Sequence, residues 1–307
     1  MKTLEDIKAM SYEEKDKLED LVLEAIDDND LAKVKDILKD YPVKISCYEL
    51  HFKNENEEYP LFDPYYLIMR AAFACEENNN DFSILDYLFD EYGLSLKDPK
   101  YNFCFTDMKY IKEANDKYIV VRYMEDNPSI YKEALIYKYI LTADNPNPQI
   151  IQYLANHGAK FEVYEDTGWS PMHFWASNND YKFLELAIKG GANVDMEEYE
   201  FESTCKYQNT PLFEAVREPG NYRTVQLLIE LGANVNFIIP TSPLDEAEGA
   251  RNRKLLKAAG AMTSDQLEKK FNIFYEDYED YDSSDEYCDL LNEAIRKDKE
   301  KENLQKN

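Results

Sequence analysis

The chain has 307 residues, and its 62 acidic side chains against 35 basic ones give a formal net charge of -27. This length is enough for one elongated domain or two compact ones with a sizeable core. Because such a surface repels phosphate backbones and anionic membranes, we expect no direct binding to nucleic acid or membrane, and a basic protein as the partner.

The chain starts with MKTLEDIKAMSYEEKDKLED, which is charged throughout and lacks the apolar core of a signal peptide. No later apolar run reaches membrane-spanning length. Five widely spaced cysteines without a Cys-x-x-Cys argue against a disulfide framework or a zinc knuckle. We therefore expect a cytoplasmic protein with small buried thiols, whose oligomeric state stays open.

Residues 1–98 contain two stretches with apolar residues at helical spacing, LVLEAIDDNDLAKVKDILKDYP and YYLIMRAAFACEENNNDFSILDYLFDEYGLSL. Each predicts a pair of helices. Between them, residues 44–63 alternate around NENEEYP and predict a hairpin-like insertion. Residues 99–129 are aromatic and are interpreted as an insertion or a worn repeat.

Residues 130–262 contain an internal repeat. The segments that begin at Ser170, Thr210 and Ser242 open with a hydroxyl residue before Pro, continue through two short helical patterns and close on Gly-Ala. Pro presets φ at a first helical position, the hydroxyl residue can cap the helix, and Gly permits a left-handed ending. The pairs Leu227–Leu228 and Leu255–Leu256 form apolar faces that a neighbouring repeat must cover.

These segments resemble the ankyrin repeat, whose pattern is Thr-Pro-Leu-His, a short helix, a second helix with paired leucines and a closing Gly-Ala. The resemblance implies an all-α fold, an ankyrin-like helical-repeat solenoid of about five to six units with short β-hairpin loops and two degenerate N-terminal repeats. It also predicts that the Pro171 and Pro211 units lie side by side.

Residues with catalytic potential are few. His173 occupies the ankyrin histidine position and His157 precedes a closing Gly-Ala, so the resemblance implies structural roles, whereas His51 stands alone. Most glycines lie at repeat turns, and no Gly-rich loop remains to bind a phosphate. We predict a protein that is not an enzyme, with no cofactor and no metal. The alternative of another class is an enzyme with its site in residues 95–129 or in the tail.

The two tryptophans are assigned different roles by the resemblance. Trp175 faces the stack and packs there, whereas Trp169 lies at a hairpin tip, a position that commonly faces the partner. The predicted partner-binding surface in the repeats consists of Asp166, Thr167, Trp169, Ser177, Asn178, Tyr207, Asn209, Arg217 and Glu218. The alternative is that Trp169 is covered by the insertion Glu197–Tyr207.

Residues 263–307 form an acidic C-terminal extension. A capped helix is predicted at Ser264, followed by eight acids and no base between Glu276 and Asp289, and then by a helical pattern through Leu290, Leu291 and Ile295. Acidic runs are usually solvated and mobile, but interleaved tyrosines, including Tyr287, could supply contact area. The predicted contact residues here are Tyr275, Asp277, Tyr278, Asp280, Tyr281, Asp282 and Asp285.

The predicted function is a non-enzymatic protein-binding module. Within this class, one candidate is an inhibitor or immunity-type protein that masks a basic partner. The other candidate is an adaptor or secreted effector of a bacterium, virus or parasite that docks a host protein, in which case the protein acts in the host cytosol.

Overall fold

The computed structural model describes residues 1–43, 61–97, 111–114, 117–120, 134–165, 168–199, 208–278 and 284–306. The predicted hairpin-like insertion at 44–63 lies outside the described residues except for its last three positions. The chain divides into two compact units, with the main boundary after Val163. The four-part division expected from the sequence stays a prediction.

Unit 1 comprises Met1–Val163 and Lys189–Gly191. Its helices are α1 (Leu4–Lys8), α2 (Tyr12–Asp27), α3 (Leu31–Leu38), α4 (Pro64–Glu77), α5 (Ser83–Asp86, continued by a π-helix over Tyr87–Tyr92), α6 (Leu135–Thr142) and α7 (Pro148–Asn156). Strands β1 (Ile111–Ala114) and β2 (Lys117–Val120) pair antiparallel, with Ile111 opposite Val120 and Ala114 opposite Lys117. Strand β3 (Val163–Glu165) spans the boundary between the units.

The helices of unit 1 form pairs, as their apolar rhythm predicts. Helix α2 packs on α3 and α4, and α4 also contacts α5, α6 and α7. Along α4 both faces are buried, including Leu67, Ile68, Ala72 and Cys75. Burial raises the pKa of the Cys75 thiol to about 12, so this cysteine is an inert part of the core, as expected.

Unit 2 comprises Tyr164–Ile188 and Ala192–Asn307. Its helices are α8 (Pro171–Ser177), α9 (Tyr181–Lys189), α10 (Pro211–Val216), α11 (Tyr222–Glu230), α12 (Pro243–Glu246), α13 (Ala250–Ala258), α14 (Ser264–Phe271) and α15 (Ser284–Lys306), with a 3₁₀-helix over Tyr275–Tyr278. Helices α8, α10 and α12 each begin with Pro at the first position after Ser or Thr. The predicted helix starts are therefore confirmed.

The hydroxyl residues before these prolines do not all cap their helices. Ser170 and Ser242 accept hydrogen bonds from the backbone N–H groups of Met172 and Asp245, respectively. Thr210 is buried but makes no such bond. The capping role predicted from the sequence thus holds for the two serines, whereas Thr210 contributes an extended backbone conformation at the helix start.

Neighbouring repeats of unit 2 pack through their first and second helices. Helix α10 contacts α8, α11 and α12, and α11 contacts α13. The Pro171 and Pro211 units therefore lie side by side, as predicted. In the leucine pairs, Leu228 and Leu256 are completely buried. Leu227 and Leu255 are only half-buried, so one leucine of each pair carries most of the packing.

The described part of the C-terminal extension is packed, whereas the sequence favours a solvated segment. Helix α15 packs against α14. Together with Ile238, which lies between α11 and α12, the two helices share an apolar cluster that consists of Ile238, Leu267, Tyr287, Cys288, Leu291 and Ile295. Tyr287 is completely buried, and its hydroxyl donates to Glu268 Oε1 over 3.0 Å. The expectation that Tyr287 supplies partner contact area is wrong, because its ring lies in this core.

Candidate protein-binding surface

The predicted contact residue Trp169 lies just before helix α8, between two fixed backbone positions. On one side, Gly168 O accepts a hydrogen bond from Tyr199 N over 2.9 Å. On the other, Ser170 starts α8, and its hydroxyl caps the helix. Trp169 itself is half-buried. We call Gly168, Trp169, Ser170, Tyr199 and Asn209 the Trp169 tip.

Gly168 allows the close approach of Tyr199. Its φ is +86°, in the left-handed region that favours glycine, and a Cβ at this position would lie 2.3 Å from Tyr199 O. The beginning of the 197–207 insertion therefore runs directly beside Gly168. Residues 200–207 lie outside the described residues, so the alternative that the insertion covers Trp169 stays open at that point.

His173 connects the start of α8 to the next repeat. Its Nδ1 accepts from Ser170 N at 3.3 Å and lies 2.8 Å from Ser170 Oγ, while Nε2 lies 3.1 Å from Asn209 O. A neutral ring with its proton on Nε2 satisfies this arrangement. Complete burial lowers the pKa of His173 to about 4, although the Asn209 carbonyl opposes the shift. The geometry gives His173 a structural role, as predicted.

Asn209 joins three parts of the chain. Its carbonyl oxygen accepts from Glu198 N at 2.9 Å in addition to the contact with His173, and its Nδ2 donates to Glu198 Oε2 over 3.3 Å. Its Oδ1 accepts from Arg217 over 3.4 Å. The insertion, helix α8 and helix α10 are thereby held in one arrangement around the Trp169 tip.

Arg217 belongs to a charge network that sequence reasoning missed. Its guanidinium donates to Glu214 Oε1 over 3.0 Å and to Glu246 Oε2 over 3.4 Å. Burial raises the pKa of Glu214, and the charge of Arg217 opposes this shift. The i, i+3 spacing of Glu214 and Arg217 could have predicted their ion pair. Nothing in the local sequence indicates that Glu246 of the next repeat also contacts Arg217.

The other predicted residues of the repeats are distributed differently. Ser177 Oγ and Asn178 Nδ2 both donate to Phe174 O, over 3.2 and 2.9 Å, so these side chains close the end of α8. Glu218 is exposed. Asp166, Thr167 and Tyr207 lie outside the described residues. The structure thus brings Trp169, Asn209 and Arg217 into one region.

The predicted tail residues are partly described. Tyr275 is 40% exposed, and its ring meets that of Tyr287 edge-on at a centroid distance of 5.1 Å. Asp277 and Tyr278 lie in the 3₁₀-helix, and Asp285 lies in the first turn of α15. Asp280, Tyr281 and Asp282 lie outside the described residues.

The described residues contain neither a candidate metal site nor a candidate membrane span. Among the described residues, no group of three or more His, Cys, Asp and Glu side chains is arranged to hold a metal ion. Within those ranges, no helix combines the length and the apolar character required to span a bilayer.

Stacked pairs of short helices, with Pro at helix starts and Gly at helix ends, define a helical-repeat protein. Residues 139–238 match the family model for ankyrin repeats, in three copies. The resemblance stated from the sequence is therefore confirmed. Ankyrin repeats are protein–protein interaction modules and are generally non-catalytic.

Two solved structures are similar to the chain. An ankyrin repeat domain from Acinetobacter baumannii AYE has 18% identity and a TM-score of 0.36, covering 78% of this chain and 98% of that one. The human ASB11 ankyrin repeat domain has 16% identity and a TM-score of 0.33, covering 78% of this chain and 84% of that one. A comparison with curated protein sequences gives no match.

Proposed function

We propose that the chain binds a basic protein through the Trp169 tip and masks part of that partner, as an inhibitor or immunity-type protein does. The observation that carries this proposal is the fixed backbone on both sides of the half-buried Trp169. A large aromatic side chain on a backbone that is already fixed adds less ordering cost on binding, and aromatic residues are frequent at the energetic centre of interfaces.

The surroundings of the tip support the same proposal. Asn209 and Arg217 are held by hydrogen bonds to neighbouring repeats, so the polar rim around Trp169 is ordered before a partner arrives. A rim of this kind excludes water from a central aromatic contact. Glu218 is exposed on the following loop and adds negative charge to this region.

Charge supports a basic partner. The net charge of -27 attracts a basic protein over the Debye length of about 8 Å at physiological ionic strength. This term accelerates encounter more than it strengthens the bound state. Association is therefore expected to slow as salt rises, and a partner with an acidic contact surface would contradict this part of the proposal.

Photo-crosslinking tests the proposal and captures an unidentified partner in the same step. A photoreactive phenylalanine analogue replaces Trp169 in one variant and Tyr12, which is 77% exposed in unit 1, in the control. Irradiation in an extract of the source cells, followed by mass spectrometry, should give a covalent adduct with a basic protein at position 169 only. Equal adducts at both positions, or none at position 169, would contradict a binding site at the tip.

A further inference from the structure

One segment of this acidic chain has the opposite charge. From Gly249 to Ser264 there are four basic residues and no acidic residue. The segment contains helix α13, where Arg251, Lys254 and Lys257 follow one another at intervals of three and are all exposed. Side chains at this spacing lie on one side of a helix, so α13 presents a positively charged strip.

Tyrosines of the two preceding second helices extend this strip. The guanidinium carbon of Arg251 lies 3.4 Å from the centroid of the Tyr222 ring. Arg223 lies 5.9 Å from the Tyr181 ring centroid and 6.0 Å from that of Tyr222. Cation–π contacts of this kind orient a guanidinium plane. The Tyr181 and Tyr222 hydroxyls also form hydrogen bonds with Arg223, and Tyr222 does so with Arg251, so the remaining N–H groups are the ones available to a ligand. We call Tyr181, Tyr222, Arg223, Arg251 and Lys254 the arginine–tyrosine face.

The arginines of this face differ from others in the molecule. Elsewhere, Arg70 pairs with Asp27, Arg217 with Glu214 and Glu246, and Arg296 with Glu300. By contrast, Arg223 and Arg251 form no ion pair with any residue that the structure describes.

Nearby acids do not neutralise these arginines. Glu218 and Glu248 lie in the loops before α11 and α13 and are exposed, yet neither pairs with Arg223 or Arg251 within the described part of the chain. In a chain with 62 acids and 35 bases, oriented guanidinium groups that have no carboxylate partner among the described residues form a surface suited to binding carboxylates.

We propose that the arginine–tyrosine face binds a short acidic segment of a partner protein. Carboxylates of that segment meet Arg223, Arg251 and Lys254, and the tyrosine rings hold the guanidinium groups in position. A short segment suits the face because the acidic surface around it repels a longer polyanion such as nucleic acid. The proposal does not depend on the Trp169 tip, whose expected partner has the opposite charge.

The experiment measures binding of a capped synthetic peptide of Glu-Glu-Tyr triplets by calorimetry at low salt. The control peptide has Gln-Gln-Tyr triplets. The face should bind the acidic peptide and not the neutral one, and affinity should fall as salt rises. Comparable affinity for both peptides, or no binding of either, would overturn the proposal.

Charge-reversal variants locate the site. R251E/K254E should weaken binding of the acidic peptide by about tenfold or more, because two favourable contacts become repulsive. The matched control K269E/K299E changes the net charge equally at exposed positions on α14 and α15 and should alter affinity by less than about twofold. Equal weakening by both variants would show a general charge effect and contradict a specific face.

A further variant tests whether weaker binding comes from the lost positive charge or from a disturbed contact between Arg251 and Tyr222. K254E/K257E leaves the contact between Arg251 and Tyr222 intact and should still weaken binding by about threefold or more. Unchanged affinity in this variant would overturn the role of the α13 strip. A single-stranded oligonucleotide that binds the face more tightly than the acidic peptide would overturn the assignment of the ligand to protein.

Discussion

Single polar side chains determine the geometry of the Trp169 tip. The structural role of His173 could be predicted, because a histidine three residues after a Ser-Pro start belongs to a recurring local pattern. The contacts of Asn209 with Glu198 and Arg217 could not be predicted, since they join residues separated by an insertion and by a helix. Local sequence indicates a cap, but it does not indicate which distant side chains will complete the network.

Stability should depend on pH through His173. Its folded pKa of about 4 is below the unfolded value of 6.5, so between these values the unfolded chain takes up a proton that the folded chain does not. This contribution is fully present above pH 6.5 and is lost as pH falls toward 4. Lowering the pH from 7 to 5 should therefore cost about 2 kcal/mol through this group.

Urea unfolding of the wild type and His173→Gln at pH 7 and pH 5 measures this contribution. The variant should be less stable at pH 7 but should lose about 2 kcal/mol less than the wild type on acidification. Carboxylates with shifted pKa values, such as Glu214 and Asp195, affect both proteins and cancel in the difference. Equal losses in the two proteins would contradict a buried neutral His173.

Gly168 offers a second residue-scale prediction. Gly168→Ala combines a left-handed backbone with a steric clash at Tyr199, whereas Gly232→Ala has a similar φ of +97° and no atom within 4 Å of the new Cβ. Gly232→Ala should cost about 1 kcal/mol, and Gly168→Ala at least about 1 kcal/mol more. Equal costs by chemical denaturation would show that the approach of Tyr199 to Gly168 is dispensable.

At the scale of elements, the positions of the helix pairs could be predicted from the sequence. Which side chains of each helix are buried was harder to predict. Periodic apolar residues and Pro or Gly punctuation identify where helices begin and end, because both depend on local backbone preferences. The packing of α15 on α14 was missed, since the acidic run before α15 favours a solvated segment and the apolar partner Ile238 lies earlier in the chain, between α11 and α12. Leu290 and Leu291 look alike in the sequence, yet only Leu291 is buried completely.

These adjacent leucines test the packing of α15. Leu291→Ala should cost about 3 kcal/mol of unfolding free energy, because it leaves a cavity in the cluster with Leu267 and Tyr287. Leu290, which is 38% exposed, should cost less than about 1 kcal/mol when changed to Ala. Similar values for both substitutions would contradict the observed packing and would restore the interpretation of the tail as a solvated extension.

At the scale of the whole molecule, the Ser-Pro or Thr-Pro starts and the closing Gly-Ala pairs predicted the ankyrin-like repeats. The net charge, in contrast, did not predict where positive and negative side chains lie on the surface. The net charge of -27 predicts an acidic surface, but α13 carries a basic strip, and Arg217 is held between two glutamates. Net charge therefore describes steering at a distance, and the contacts at each surface depend on local pairing. Binding to a partner must be tested at the contact residues themselves.

The dissociation rate of the partner captured at position 169 tests the binding site most directly. Trp169→Ala should accelerate dissociation by about 30-fold, equivalent to a loss on the order of 2 kcal/mol, because an oriented aromatic contact at the centre of an interface is removed. Tyr12→Ala, which changes an aromatic residue that is 77% exposed in unit 1, should leave the rate unchanged. A Trp169→Ala protein that dissociates at the wild-type rate would contradict binding through the Trp169 tip.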